Sequence, residues 1–455
     1  MSSGTDLAAL VGRIDRDAID ICVRLRDAGR RGWIVGGCVR DLLRGKNVSD
    51  WDIATDARPA QLMKLFPRVI PTGIDHGTVS VLVRGVAYEV TTLRGETTYS
   101  DGRRPDSVVF VDDIVADLAR RDFTFNAIAI DPLAPALIDP WGGQKDLAAH
   151  VLRAVGDPVQ RFSEDGLRVL RAARFSATLE CAIEPRTLAA IEPTLATYRK
   201  VSAERVRDEW VKTMKARKPS TAFEVMRTTG ILRVTLPEMM DSVGMEQNRH
   251  HAYDVWTHAL ACLDACEGDP ALRIAALMHD IGKPRTRARS DKTNDYTFYN
   301  HEKVGAEMVG PILERLRFSN DDKARITSLV ANHLVCYSDE WSDAAVRRWI
   351  RRVSLDRVED LYALNRADLL GKGRDVTQDL AGLERLKERV AAELAGGHAL
   401  STRDLAVNGQ DVMRELAIKP SRRVGEVLET LLEKVVDDPS LNDREILLRL
   451  IREAR

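Results

Sequence analysis

Residues 33–55 read WIVGGCVRDLLRGKNVSDWDIAT, which combines a short apolar strand, two glycines, a helical piece and an Asp-Trp-Asp triplet. Side chains alternate across a strand with a period of two, so the pattern predicts that Asp50 and Asp52 project to one face while Trp51 enters the core. Two like charges on one face are unfavourable unless a cation lies between them, and Mg²⁺ prefers carboxylate oxygens. Glu89, in a neighbouring strand-like segment, is the candidate third carboxylate of this predicted magnesium site.

A pair of glycines precedes the triplet, at the junction between the strand and the helical piece. Gly36 and Gly37 let backbone N–H groups approach an anion, and the start of a helix favours negative charge. Arg40, one turn further on, is placed to add a phosphate contact. Metal ions and donors that clamp a triphosphate supply most of what phosphoryl transfer needs. The predicted reaction is attack by an RNA 3′-hydroxyl on the α-phosphate of a nucleoside triphosphate, with pyrophosphate leaving.

The character of the sequence changes after about residue 145. Before it, strand-like segments rich in β-branched residues alternate with Gly, Asp and Pro, whereas amphipathic helical segments follow it to the end of the chain. The sequence therefore predicts an α+β protein, with an α/β head followed by an all-helical remainder. The predicted domains are a head (1–145), a helical neck (146–245), a metal-binding domain (246–370) and a helical tail (371–455).

Composition limits the partners of the chain. Lys and Arg (68) nearly balance Asp and Glu (69), giving a formal net charge of −1. There is no overall attraction to nucleic acid, so we expect no DNA partner, and RNA contacts have to come from local arginine clusters. The six cysteines never form a Cys-x-x-Cys pair, which argues against a thiolate zinc site and a disulfide framework. No apolar run approaches the roughly 18 residues of a membrane span, so we expect a cytoplasmic protein without a membrane partner. The arginine clusters are Arg103-Arg104, Arg120-Arg121, the series Arg168, Arg171 and Arg174, and Arg347-Arg348 with Arg351-Arg352.

Five motifs occur in a fixed order in the first part of the chain. They are GGCVRD (36–41) with SDWD (49–52), YSDGRRP (99–105), RRDFTFNA (120–127), DPWGG (139–143) and EDGLR (164–168). Together they resemble the signature of the bacterial class II CCA-adding tRNA nucleotidyltransferase / poly(A) polymerase family. The resemblance implies a polymerase β-like head, Mg²⁺ on Asp50 and Asp52, and tRNA, ATP and CTP as partners.

The resemblance also implies roles for individual residues. It makes Arg121 a nucleotide contact, Asp165 and Arg168 the nucleotide selectors, and the neck an RNA-binding region. Segment 99–105 resembles the flexible loop that helps to switch the site from C to A. For Arg171 and Arg174 it implies either triphosphate contact or a structural role.

The chemistry of the bases explains why an Asp and an Arg suit this selection. Cytosine and adenine each present an amino donor beside a ring-nitrogen acceptor, and uracil and guanine reverse that order. A carboxylate only accepts and a guanidinium only donates, so Asp165 and Arg168 complement C and A. Their spacing of three predicts neighbours on one helix face. Arg171 and Arg174 continue at steps that drift about 60° each, so all four side chains cannot face one base.

A second metal site is predicted in the helical part. His279-Asp280 ends an apolar helix, and further potential ligands surround it in the sequence; these are His258, His301, His333 and Asp368, with His250 and His251 as less certain members. The set resembles the HD phosphohydrolase superfamily, in the version that can hold two metals. Nitrogen-plus-carboxylate sites suit transition ions such as Mn, Fe, Ni or Zn. The resemblance leaves open whether the domain hydrolyses phosphate esters at RNA ends or is only structural.

Several functions are compatible with these motifs. The first hypothesis is addition of C and A to the tRNA 3′ end to complete or repair CCA. A bacterial poly(A) polymerase, or an enzyme that adds only A, shares the same motifs. A metal-dependent HD phosphohydrolase with an inactive head is the alternative from another class, and the intact Asp50, Asp52, Asp165 and Arg168 argue against it.

Overall fold

A computed structural model describes residues 7–95 and 109–453, apart from the side chain of Asp75. Over these residues the chain is α+β, as predicted. It divides into two compact units, Met1–Pro237 and Glu238–Arg455, and each is described separately below. This division lies close to the border predicted at residue 245, and the four-part domain scheme remains a prediction. Segment 99–105, the expected flexible loop, lies outside the described residues.

The first unit contains a seven-stranded sheet. Its strands are β1 (Gly32–Val35), β2 (Asp52–Thr55), β3 (Val69–Gly73), β4 (Thr78–Val83), β5 (Val86–Thr92), β6 (Ala129–Asp131) and β7 (Ala136–Ile138). Their order across the sheet is β3-β4-β5-β2-β1-β6-β7. A separate parallel pair consists of β8 (Val151–Leu152) and β9 (Ala182–Ile183).

Helices cover the sheet and continue into the neck. They are α1 (Leu7–Val11), α2 (Arg16–Asp27), α3 (Gly37–Leu43), α4 (Pro59–Leu65), α5 (Ile114–Ala119), α6 (Gly143–Ala148), α7 (Pro158–Glu164), α8 (Leu167–Thr178), α9 (Pro185–Ala189), α10 (Leu195–Tyr198), α11 (Ala203–Thr213), α12 (Ser220–Thr228) and α13 (Ile231–Thr235). Short 3₁₀ turns lie at Ile74–His76, Thr124–Asn126 and Glu192–Thr194.

Strand β1 is buried on both of its faces, which explains why its residues are continuously apolar. Ile34 belongs to a core with Ile53, while Trp33 and Val35 belong to a second core on the other face. In β2, Asp52 is the first strand residue, so Asp50 and Trp51 lie just before the strand. The prediction that the whole triplet is in the strand was therefore wrong. Trp51 is nevertheless buried, as predicted, because its side chain joins the core of Ile34.

Aromatic packing joins the RRDFTFNA motif to α8. The rings of Phe123 and Phe125 lie edge-on to Phe175, with centroids 5.7 and 5.5 Å away. Such contacts stabilise a fixed ring geometry in addition to the apolar area that they bury. The motif and the helix that follows the EDGLR segment are thereby held together in one core.

The second unit is almost entirely helical. Its helices are α14 (Val255–Ala265), α15 (Pro270–Met278), α16 (Lys283–Thr286), α17 (His301–Arg315), α18 (Asn320–Asn332), α19 (Asp343–Val353), α20 (Val358–Gly371), α21 (Thr377–Ala395), α22 (Gly409–Leu416), α23 (Arg422–Asp437) and α24 (Arg444–Glu453). A hairpin of β10 (Ala288–Ser290) and β11 (Asp295–Thr297) precedes α17, and 3₁₀ turns lie at Pro237–Ser242, Leu355–Arg357, Thr402–Asp404 and Pro439–Leu441.

Three of the four arginines of α19 have acidic partners within this unit. The buried Arg347 donates to Glu393 Oε2 at 2.8 Å and to the carbonyl of Val436 at 2.7 Å. Arg348 and Arg351 form ion pairs with Asp437 and Glu429. This cluster, which the sequence offered as an RNA contact, therefore joins α19 to α21 and α23. Among the described residues, no helix is long and apolar enough to cross a membrane.

Candidate functional site

Three carboxylates lie near one another where β2 begins, in the interior of the head sheet. Parallel pairing of β2 with β5 places Asp52 directly opposite Glu89, and Asp50 lies two residues before the strand. Burial, together with repulsion by Glu89 and Asp50, raises the pKa of Asp52 to about 6, although Arg121 lowers it. The raised pKa means that the protein alone does not fully stabilise the negative charge of Asp52. Hard oxygen ligands in this state fit a divalent cation such as Mg²⁺.

The glycine turn brings a guanidinium against these carboxylates. Gly36 has a φ of +80°, and a Cβ there would lie 2.8 Å from Arg121 Nη1 and 3.5 Å from Asp52 Oδ2. Only glycine satisfies both the backbone conformation and the close approach. Gly37 is the first residue of α3, so the helix begins where the sequence predicted.

The two arginines expected to contact the nucleotide, Arg40 and Arg121, differ in their present partners. Arg121 donates to Asp117 Oδ2 at 3.2 Å, and its buried Nε has no hydrogen-bond partner among the described residues. Arg40 donates from all three of its nitrogens, to both Asp41 oxygens and to Asn126 Oδ1, at 2.7–2.9 Å. Both arginines are thus held by protein groups in this conformation.

Asp165 and Arg168 lie at a break between two helices. Helix α7 ends at Glu164 and α8 begins at Leu167, so the prediction that Asp165 lies within a helix was wrong. The break lies at Asp165, whose backbone is extended with a φ of −140° and a ψ of 106°. Gly166 after it packs closely, since a Cβ there would lie 2.6 Å from the backbone of Tyr198. Asp165 Oδ1 instead accepts from the N–H of Leu167 at the start of α8, at 3.0 Å.

The two selector residues have different partners. Asp165 Oδ2 accepts from Arg205 Nη2 at 2.7 Å. Arg168 is buried and donates to Glu164 Oε2 at 2.6 Å and to the carbonyl of Arg120 at 2.7 Å. Arg205 and Glu164 were missed by sequence reasoning. Arg205 is 40 residues from Asp165 and lies in no recognised motif, whereas Glu164 opens the EDGLR motif itself.

Arg171 and Arg174 are part of a buried ionic network. Arg171 Nε donates to Asp122 Oδ2 at 2.7 Å, and Arg174 Nε donates to the buried Glu209 at 2.5 Å. Burial alone would raise the pKa of Asp122, but Arg171 and Asn126 outweigh it and lower the pKa to about 2. Of the two roles implied for these arginines, the structure favours the structural one.

The six residues predicted for the second metal site converge in the second unit. His258 Nε2 lies 3.1 Å from His279 Nε2 and 3.0 Å from Asp368 Oδ1. His301 Nε2 lies 3.3 Å from both His333 Nε2 and Asp280 Oδ1. His251, but not the exposed His250, belongs to a group of ligand atoms with His258 and Asp280 within 4.8 Å.

The orientation of the four rings fits metal binding. Each Nδ1 lies 2.6–3.1 Å from a backbone carbonyl, in the order Gly371, Phe298, Ala276 and Val330 for His258, His301, His279 and His333. A carbonyl only accepts, so Nδ1 carries the proton and Nε2 offers its lone pair. Neighbouring lone pairs repel unless a proton or a metal ion lies between them. Asp280 Oδ2 lies near His258 and His279, and Asp280 Oδ1 lies near His301 and His333. This arrangement suits a carboxylate that bridges two metal positions.

A buried lysine belongs to this cluster and was missed in the sequence. Lys283 Nζ lies 2.6 Å from both Asp280 Oδ2 and Gln247 Oε1. Burial would raise the pKa of Asp280, but His279 and Lys283 outweigh it and hold the pKa well below its usual value. The sequence signal was the spacing of three in HDIGK. The cluster opens into a cavity of about 530 Å³.

Comparison with known proteins assigns the head to a class of enzymes. Family models match at three places: the poly A polymerase head domain over residues 32–153, the probable RNA and SrmB-binding site of polymerase A over residues 181–242, and the putative domain 2 of tRNA nucleotidyltransferase over residues 298–451. The first unit thus has the head of a nucleotidyltransferase.

Relatives extend the match over nearly the whole chain. The CCA-adding enzyme of Pediococcus pentosaceus is 32% identical over 435 residues, covering 96% of this chain and 97% of that protein. That of Lactobacillus johnsonii is 45% identical over 214 residues, covering 47% and 54%. The structure is similar to the Bacillus stearothermophilus CCA-adding enzyme in complex with CTP, with a TM-score of 0.69 and 26% identity over 96% of this chain and 97% of that one. The chain belongs to the family of CCA-adding enzymes, which are tRNA nucleotidyltransferases.

Proposed function

We propose that this chain adds C and A, without a template, to the 3′ end of tRNA and so completes or repairs CCA. The observation that carries the proposal is the pairing of Asp52 with Glu89 beside the Gly36 turn, in a chain related over its full length to CCA-adding enzymes. Mg²⁺ held by Asp50, Asp52 and Glu89 would neutralise the triphosphate and lower the pKa of the attacking 3′-hydroxyl. CTP and ATP are the proposed nucleotides, in line with the CTP complex of the Bacillus stearothermophilus relative.

The chain's own residues have separate tasks in this reaction. Arg121, beside Asp52, would contact the nucleotide with its guanidinium, while Arg40 orients Asn126. Asp165 and Arg168 would present their acceptor and donor to C or A. In this conformation Arg205 and Glu164 hold these two groups. Base selection therefore requires that Asp165 separates from Arg205, and Arg168 from Glu164, before the two side chains bind the base.

The test supplies tRNAs that lack three, two or one of the terminal CCA nucleotides, with CTP and ATP given separately and together. The proposal expects CTP alone to extend the first two substrates and ATP alone to extend only the third. Long A tails on any RNA would instead identify a poly(A) polymerase, and extension of only the third substrate would identify an A-adding enzyme.

We further propose that the second cluster is an HD-type metal centre that hydrolyses phosphate esters at RNA ends. The supporting observation is the convergence of four histidine Nε2 atoms on Asp280, with Asp368 beside them. A transition ion such as Mn, Fe, Ni or Zn suits these ligands. Hydrolysis of 2′,3′-cyclic phosphates by the metal-loaded protein, lost in His279→Ala with tRNA extension retained, is the expected result. Retained hydrolysis in that variant would refute this assignment.

The compartment and the domain borders are also proposals. The six cysteines are free, five of them buried, which suits a reducing cytoplasm. Within the two compact units we retain the head (1–145), neck (146–245), metal-binding domain (246–370) and tail (371–455) as the functional division.

A further inference from the structure

The cavity above the histidine cluster has two chemically different ends. Its floor includes four of the six ligand groups, Asp280, His301, His333 and Asp368, together with Lys283, and Lys372 lines it as a second cation. Its rim includes two exposed apolar side chains, Tyr299 and Leu334. A volume of about 530 Å³ lies within the range of small-molecule sites.

The exposure of Tyr299 is exceptional within this protein. Its side chain is 78% exposed, more than any other large hydrophobic residue that the structure describes, and Leu334 is 40% exposed. Each residue is tied to the cluster by the chain itself, since Tyr299 lies two positions before His301 and Leu334 directly follows His333. Asn300 between Tyr299 and His301 has a φ of +60°, a left-handed conformation that asparagine tolerates well. The local turn thus fixes the aromatic ring at the rim while His301 enters the floor.

We propose that Tyr299 and Leu334 form a base-binding subsite, so that the cavity takes a nucleotide with a phosphate on its ribose. The phosphate would lie at the floor, where Lys283 and Lys372 supply positive charge beside the metal ligands, and the base would stack on Tyr299. The two ends of the cavity thus match the two ends of the ligand. Stacking on an aromatic ring tolerates any base because every base has a π-face. The inference rests on the proposed hydrolase function and specifies its substrate class. The nucleotide is either free or the last residue of an RNA.

The kinetic test compares a substrate that has a base with one that has none. Full-length, metal-loaded protein hydrolyses adenosine 2′,3′-cyclic phosphate and methyl riboside 2,3-cyclic phosphate. For the adenosine compound, Tyr299→Ala should raise KM about tenfold and leave kcat nearly unchanged. For the methyl riboside, the same substitution should change neither KM nor kcat. Tyr299→Phe should retain the wild-type KM because it retains the ring. Tyr253→Ala, a control at a 41%-exposed tyrosine outside the cavity, should have no effect.

The outcomes separate the subsite from the hydrolase. Equal losses for both substrates would show that Tyr299 has only a structural role, and no change for either would refute the subsite. If wild-type protein hydrolyses neither substrate, the hydrolase proposal fails, and equilibrium dialysis of adenosine 2′-monophosphate at saturating CTP then tests the subsite alone. Wild-type binding that weakens about tenfold in Tyr299→Ala would support it, and equal or absent binding would refute it. A trinucleotide ending in the same cyclic phosphate distinguishes the sources, because a lower KM than for the mononucleotide indicates an RNA end and an equal or higher KM a free nucleotide.

Discussion

Gly36→Ala tests the geometry of the head site with a single methyl group. The added Cβ would lie 2.8 Å from Arg121 Nη1, whereas nonbonded atoms prefer about 3.5 Å or more. The guanidinium therefore has to move by more than about half an ångström, and a misplacement of that order costs roughly 10- to 100-fold in rate. The φ of +80° adds a backbone cost of about 1–3 kcal/mol to folding.

The matched control is Gly45→Ala. Gly45 has a φ of +74°, but no described atom lies within 4 Å of the place that a methyl group would take, so the substitution strains the backbone without a clash. Urea denaturation measures the stability of both variants, and single-turnover incorporation of CTP into tRNA measures transfer. We expect both variants to lose stability and only Gly36→Ala to lose at least tenfold in rate. Equal rates for the two folded variants would refute the proposed role of the turn in placing Arg121.

Three further predictions concern charge. Asp52→Asn should stabilise the metal-free protein at pH 8 but not at pH 4. Ionised Asp52 destabilises the folded protein by at most about 3 kcal/mol, and because its folded pKa of about 6 exceeds the ordinary value, this cost appears only as pH rises from about 4 through 6. Urea denaturation at both pH values without Mg²⁺ checks this, and a pH-independent difference would contradict it. Glu209→Ala leaves Arg174 buried without its carboxylate and should cost about 3–5 kcal/mol by urea denaturation. Glu180→Ala, which removes only an exposed ion pair with Arg217, should cost far less, and similar losses would contradict the network. Asp165→Ala should lower the preference for CTP over UTP at least tenfold in single-nucleotide incorporation, and an unchanged ratio would remove Asp165 from base selection.

Sequence reasoning worked best where chemistry requires residues close along the chain. The Asp-x-Asp spacing and the glycine pair predicted the carboxylate cluster, although the strand begins only at Asp52. The histidine cluster also followed from the sequence, because His279-Asp280 and the histidines around it resemble the HD pattern. Glu89 could be named from its strand-like segment, but only the parallel register of β2 and β5 shows that it faces Asp52.

Partners from distant segments could not be predicted. Arg205 reaches Asp165 across 40 residues because α11 packs on α8, and nothing in its own segment marks it. The four arginines of α19 looked available for RNA, yet Glu393, Glu429 and Asp437 pair with three of them in the folded unit. A charge cluster in a sequence does not reveal its counter-charges when these come from a later helix.

The most direct test of the central claim is the length of the product made from tRNA that lacks its last three nucleotides, with CTP, ATP and Mg²⁺ together. The account predicts addition that stops after C, C and A, is lost in Asp52→Asn, and persists in the control Asp56→Asn, whose carboxylate accepts from the backbone of Arg31 outside the site. Undiminished addition by Asp52→Asn, or A tails that continue past the third nucleotide, would contradict it.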